Sequence, residues 1–214
     1  MQANYSLPKQ IKPTRTFAES ARRAQIVEVA IKVAAAAGYA NTSFARIARE
    51  AGLSSTGIIS YNFAGKDDLV RAVVAEVLRV AAAYVSPRVE AALGGRAKLR
   101  AYIEAHTAFL ADHPNHLPAL VEVVTNLPRD HTDRAELLAQ LDARNSVHTD
   151  YIGQAQRAGE FRAFDPRVMV LAVQGAIDAV VMRKVREPDL DVVACGRELA
   201  DLFDRATAPT ESEP

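Results

Sequence analysis

The chain has 214 residues, 49% hydrophobic and 24% charged, which is ordinary for a globular protein with one sizeable core or two modest ones. Its 26 basic and 26 acidic residues cancel, which argues against a generic nucleic-acid binder, and the single cysteine, Cys195, excludes an intrachain disulfide and reads as a packing residue. Pro8, Lys9, Lys12 and Pro13 interrupt any signal-peptide core, and the longest apolar run, 168–182, is too short for a bilayer and contains Gln174 and Asp178, so no membrane association is expected.

The charge is unevenly spread. Residues 1–70 hold 9 Lys and Arg against 5 Asp and Glu, a net of +4 that leaves −4 for the remainder. Residues 1–18 carry Pro8, Lys9, Lys12, Pro13 and Arg15 with little periodicity and read as a basic arm, either solvated, laid along a phosphate backbone or entering the minor groove. Ile26, Ala30, Val33, Ala34 and Ala37 share one face of a first helix over about 18–37, which Gly38 ends, with Tyr39 packing on the core. Thr42 or Ser43 then caps a second helix with Phe44, Ile47, Ala48 and Ala51 on its apolar face, Gly52 stops it, and Leu53 tucks back.

Ser54, Ser55 and Thr56 offer caps for a third helix over 55–63. Ile58, Ile59 and Phe63 can bury one side, which leaves Ser55, Thr56, Ser60, Tyr61 and Asn62 outside, a polar surface without net charge. Short hydroxyls and amides of this kind suit close approach to base edges and phosphates in a major groove, as the second helix of a helix-turn-helix requires. Two short helices joined by a glycine turn also occur in helical cores that bind nothing.

Together with the helix before it, this stretch resembles the DNA-binding domain of the tetracycline-repressor (TetR) family of bacterial transcription regulators. The resemblance is carried by Ile47-Ala48, Ala51-Gly52-Leu53-Ser54, Gly57, Ile59, Phe63, Gly65-Lys66 and Leu69. Two departures stand out: one extra residue separates the turn glycine from the recognition-helix glycine, and Ser60 occupies the usual tyrosine place with Tyr61 one position later. Both hydroxyls remain candidates for the phosphate contact. The resemblance implies DNA contacts from Thr42, Arg46, Ser54, Ser55, Thr56, Ser60, Tyr61, Asn62 and Lys66. Lys66 sits at a helix start with Asp67 and Asp68, where a cation is locally unfavourable unless an anion such as phosphate meets it.

The helix from Lys66 continues through Leu69, Val73, Val77 and Val80 to about Ser86-Pro87, linking two domains. After Gly94-Gly95 come further helices: one with Leu99, Ile103, His106, Phe109 and Leu110, one with Leu117, Leu120, Val121 and Val124, and one over about 133–158. Asp165-Pro166 starts a helix over 166–186 that is apolar nearly all round and therefore reads as covered by a partner subunit. A last helix carries Leu190, Val193, Leu199, Leu202 and Phe203, and residues 207–214 read as a disordered tail. In the family these two helices pair with their symmetry mates, so the expected dimer contacts are Leu171, Val173, Ile177, Val181, Leu199, Leu202 and Phe203. Gln174 and Asp178, four apart on one helix face, need buried partners, either at that interface or around a ligand cavity with Tyr102, His106, Phe109 and Val124.

The expected fold is all-α: a basic arm (1–18), a three-helix helix-turn-helix DNA-binding domain (19–65), and a larger helical ligand-binding and dimerisation domain (66–206) whose linking helix spans 66–86. The expected function is a cytoplasmic, homodimeric transcriptional regulator, a repressor released from a palindromic double-stranded operator by a small-molecule effector. No cofactor, metal or catalytic residue is expected. The alternatives are an α-helical metalloenzyme using His106, His113 and His116, which Pro114 disfavours by breaking the helical spacing, or a dimeric scaffold that binds no DNA.

Overall fold

A computed structural model describes residues 16–128 and 134–209, and among these it is helical with no strand. The described elements are α1 (Phe17–Ala37), α2 (Phe44–Glu50), α3 (Gly57–Asn62), α4 (Lys66–Glu90), α5 (Gly95–Asp112), α6 (His116–Asn126), α7 (Arg134–Arg157), α8 (Pro166–Arg186) and α9 (Val192–Thr207). Most of the basic arm lies outside the described residues; its last part does not, because α1 already begins at Phe17. There the Thr16 hydroxyl accepts from the Glu19 N–H while the Glu19 carboxylate accepts from the Thr16 N–H, so each side chain satisfies a backbone donor of the first turn.

Glycines punctuate the N-terminal helices. Gly38 has φ 84°, and a Cβ there would sit 2.9 Å from Glu122 Oε1, so both backbone conformation and space demand glycine. Gly52, at φ 63°, closes α2: its N–H bonds the Arg49 carbonyl and the Leu53 N–H bonds the Ala48 carbonyl, which brings Leu53 back against the core. Ser43, not Thr42, caps α2, accepting from the Arg46 N–H.

Ile26, Ala30, Ile31, Ile47, Ile59, Phe63, Leu69, Val73 and Val77 form a dry N-terminal core from α1 to the first half of α4, and Ala119 of α6 belongs to it as well. Arg23 ties this unit together by donating to the Asn62 carbonyl oxygen and to Asp68 Oδ1 while its guanidinium stacks 3.9 Å from the centre of the Phe63 ring. Phe63 thereby fixes how α3 leaves the domain.

The linking helix overruns its expected end at Ser86 and carries Pro87 inside, reaching Glu90. A second core gathers Leu99 and Ile103 of α5, Ile152 and Ala155 of α7, Val170, Val173 and Ile177 of α8, and Ala200 of α9. Helices α5 and α9 come closest at Gly196, where a methyl group would overlap the Thr107 hydroxyl. Arg96–Asp204 (2.8 and 2.7 Å) and Arg100–Asp201 (2.5 Å) pair the same two helices along their length.

Two expectations about the C-terminal helices need correction. Helix α8 is not apolar toward a partner on every side: Val173, Ile177 and Val181 are 4%, 2% and 1% exposed inside their own subunit. The uncovered apolar face is instead Val168, Leu171, Met182 and Val185 of α8 with Val193 and Leu202 of α9, among which Leu171 and Leu202 are 66% and 58% exposed. Leu199 and Phe203 are partly buried against the second core. The tail does not begin at residue 207, because Thr207 is fully buried, closes α9 and accepts the Arg162 N–H on its carbonyl; residues 210–214 lie outside the described part.

Candidate functional site

Helix α3 presents most of the polar surface that its sequence suggests. Ile59 and Phe63 are buried, whereas Ser54, Ser55, Thr56, Ser60 and Tyr61 are exposed, Tyr61 at 76%. The Thr56 hydroxyl makes no cap bond, so it is spared for an outside partner, while Ser60 Oγ donates to the Thr56 carbonyl at 3.3 Å. Tyr61 reaches across to α1 and donates to Glu19 Oε1 at 2.9 Å, a bond that holds the phenol proton more tightly. Arg46 stands half-exposed in the first turn of α2.

Three residues assigned to this surface are engaged inside the protein. Thr42 is buried and its hydroxyl donates to the Gly38 carbonyl at 2.9 Å. Asn62 is buried and its amide nitrogen donates to the Ile58 carbonyl. For these two, side-chain direction withdraws the polar groups from the outer face. Lys66 is half-buried: Nζ donates to the Tyr39 carbonyl at 2.9 Å and lies 4.1 Å from the centre of the Tyr39 ring, and desolvation lowers its ammonium below the usual lysine range.

The larger helical unit holds two adjoining cavities. One, of about 200 Å³, is bounded by α4, α5, α6, α7 and α8, and Tyr102, His106, Val124, Gln174 and Asp178 all line it. Phe109 does not; it is fully buried beneath, packed at 5.4 Å against Tyr84. Gln174 Nε2 donates to Asp178 Oδ1 at 3.1 Å, so this pair faces the cavity, and burial pushes the Asp178 carboxyl above its ordinary value. The second cavity, about 250 Å³, is walled mainly by apolar residues such as Leu99, Ile152, Val170 and Val173, and shares Tyr102, His148 and Gln174 with the first.

Sequence reasoning missed the contribution of α7. Arg144, Asn145 and His148 line the first cavity beside Leu141, and the signal for them is their place at helical spacing on the face of α7 that carries Leu137, Leu141, Ile152 and Ala155. The proposed metal set does not assemble. His113 and His116 stack on each other and on Phe109, His106 turns to the cavity, and the described residues contain no group of three or more His, Cys, Asp or Glu able to hold a metal ion. Among the described residues no helix is long and apolar enough to cross a membrane.

Helix α6 joins the two regions. Ala119 sits in the N-terminal core and Glu122 Oε1 accepts the Tyr39 N–H at 3.0 Å, whereas Leu117, Leu120, Val121 and Val124 line the cavity. An exposed, uncharged helix-turn-helix face joined through shared helices to a ligand-sized cavity is the architecture of a one-component bacterial regulator. Comparison with known proteins agrees. The model for bacterial regulatory proteins of the tetR family matches residues 26–73, and the model for the tetracyclin repressor-like C-terminal domain matches residues 92–182. The chain belongs to the tetR family of bacterial regulatory proteins.

A curated relative, the HTH-type transcriptional regulator BetI of Burkholderia thailandensis, is 38% identical over 86 residues, which is 40% of this chain and 44% of the relative. The chain thus spans a little under half the length of the curated relatives it matches. Among solved structures, AibR in complex with isovaleryl coenzyme A and operator DNA superposes with a TM-score of 0.71 at 18% identity, covering 85% of this chain and 97% of that one. The ketosteroid transcriptional regulator KstR2 of Mycobacterium tuberculosis gives 0.74 at 17% identity, covering 87% and 95%. At such identities the likeness is one of fold.

Proposed function

We propose that this protein is a DNA-binding transcriptional regulator, a repressor that a small-molecule effector releases from a palindromic operator, acting in the bacterial cytoplasm as a homodimer. Residues 19–65 form its DNA-binding unit and residues 66–206 its effector and dimerisation unit. The observation that carries the reading is α6, one side of which is N-terminal core while the other is cavity wall. A ligand that fills the cavity presses on the element against which the DNA-binding unit rests. Release follows if the ligand prefers the arrangement that DNA does not; a 100-fold loss of operator affinity requires about a 100-fold preference of the ligand for that arrangement. The fold shared with a regulator solved together with operator DNA and isovaleryl coenzyme A supports both halves of the reading.

On the DNA side, Ser54, Ser55, Thr56, Ser60 and Tyr61 enter a major groove and Arg46 and Lys66 flank them, a reading supported by the exposure of the first five. Dimerisation uses the uncovered apolar face centred on Leu171 and Leu202, which in a lone subunit would remain in water. A retardation gel with the DNA upstream of the protein's own gene tests the proposal: a shifted band at nanomolar protein that weakens as salt rises is the expected result. No shift at micromolar protein would leave a dimeric scaffold as the better reading.

A further inference from the structure

The polar end of the cavity selects among head groups. His106 Nδ1 lies 2.8 Å from the Tyr102 carbonyl oxygen, an atom that can only accept, so Nδ1 carries the ring proton and Nε2 presents a lone pair. His106 is otherwise buried, lines the cavity, and no described protein donor meets its Nε2. A buried acceptor without a donor is costly, and His106 lines a cavity from which a donor can arrive. Burial, which pushes the imidazole down to about 4, keeps it neutral and accepting at pH 7.

The remaining polar groups favour neither sign of charge. Arg144 and Asp178 bring opposite charges to the same cavity and form no ion pair with each other. A carboxylate head has no proton for His106, and either charged head would give up its hydration in a cavity where the charges of Arg144 and Asp178 offset each other. A hydroxyl serves His106 and Arg144 together, since its proton goes to the histidine and its oxygen still accepts from a guanidinium, while Asp178 keeps its bond from Gln174. The adjoining cavity shares Tyr102, His148 and Gln174 with the first and is walled mainly by apolar groups such as Leu99, Ile152, Val170 and Val173, with Glu90 and Lys98 the charged residues of its lining, so it suits an extended apolar body. The two volumes, about 250 and 200 Å³, together reach the range of small-molecule sites, roughly 300–1,000 Å³.

We propose that the effector is an uncharged apolar molecule bearing a hydroxyl, whose O–H donates to His106 Nε2 while its body lies between the apolar walls beyond Tyr102. This rests on the effector-cavity reading given above. Calorimetric titration of the purified protein with 1-decanol, decanoate and decylamine, at equal chain length, reads the head-group preference directly. The alcohol is expected to bind at least tenfold tighter than the acid or the amine. His106→Phe, which keeps an aromatic ring and removes the lone pair, is expected to lower alcohol affinity roughly fivefold to tenfold with an unchanged melting profile. Decanoate or decylamine binding most tightly, no binding by any of the three, or a His106→Phe protein that binds 1-decanol like the wild type would each overturn the proposal. Val124→Trp, which fills the cavity from α6, separates the two levels of inference. If it abolishes binding of a probe other than the alcohol, the cavity stands and only the head-group assignment fails. If all binding persists through it, the cavity reading itself fails.

Discussion

The backbone N–H of Tyr39 donates to Glu122 Oε1 across 3.0 Å, and this bond ties the turn after α1 to the helix that walls the cavity. It forms at the point where Gly38, at φ 84°, lets the carboxylate approach the chain. Glu122→Ala breaks the tie without altering the DNA-facing residues. It is expected to leave operator affinity within about threefold of wild type, since it touches no DNA-facing group, while blunting release by effector, because energetic coupling needs a physical connection between the sites. Retardation gels with and without effector measure both quantities, and a variant that responds to effector like the wild type would remove this bond from the coupling.

Lys66 and Thr56 are expected to fail differently. Lys66→Ala should weaken binding to every DNA sequence and lower the slope of log affinity against log salt by about 0.9 if its ammonium turns from Tyr39 to a phosphate. Thr56→Ala should leave that slope alone and change which operator bases are preferred. Equal salt dependence of the Lys66 variant and the wild type would confine Lys66 to its bond with the Tyr39 carbonyl.

The two sides of α8 predict two kinds of damage. Leu171→Asp places a carboxylate on the uncovered face and should give a folded monomer, as should Leu202→Asp on α9. Val173→Asp or Ile177→Asp places it in the subunit's own core, and the fold should collapse, because an unpaired buried charge cannot be solvated there. Sedimentation with thermal melting distinguishes them, and a wild-type protein that is monomeric at micromolar concentration would exclude the dimer.

His106 gives the stability a pH dependence of known sign. Burial holds its imidazole at about 4 against an ordinary 6.5, so the folded state binds fewer protons than the unfolded chain between these values. Its neutral form costs nothing above pH 6.5, and stability is lost as pH falls from 6.5 toward 4, by up to roughly 3 kcal/mol. The Asp178 carboxyl, raised by burial, works in the opposite direction, losing stability as pH rises above its ordinary 3.8. Urea unfolding at pH 7 and pH 4.5, compared between wild type and His106→Phe, isolates the histidine; parallel behaviour of the two proteins would mean that His106 is solvated and protonates freely.

Where the chain punctuates itself, its helices were readable in advance. Gly38 and Gly52 need positive φ, and Asp165-Pro166 fixes a helix start by side-chain acceptance and a preset φ, so these boundaries follow from single residues. Tyr102, His106, Gln174 and Asp178 stood out as polar groups on apolar faces, and the cavity is where they find their use. Arg144, Asn145 and His148 did not stand out, because polar and charged groups interrupt the Leu137, Leu141, Ile152 and Ala155 face of α7 at its middle and read there as solvent-facing. The inward side of α8 was equally hidden. A helix with valines and leucines all round does not reveal which of them will meet α5 and which will stay in water; tertiary packing decides that. Thr42 and Asn62 are a subtler case, since hydroxyl and amide invite a surface role but both serve the backbone four residues earlier.

The close seating of Gly196 on Thr107, followed towards one end of the helix pair by the arginine bonds to Asp201 and Asp204, resists sliding or parting of α5 and α9. The two helices therefore act as a keel running the length of the larger unit. A molecule entering beside α5 meets a wall braced by α9, so its volume is more easily taken up by α6, α7 and the adjoining stretch of α4. Stiffness in one half of the protein is thus what gives direction to the movement of the other.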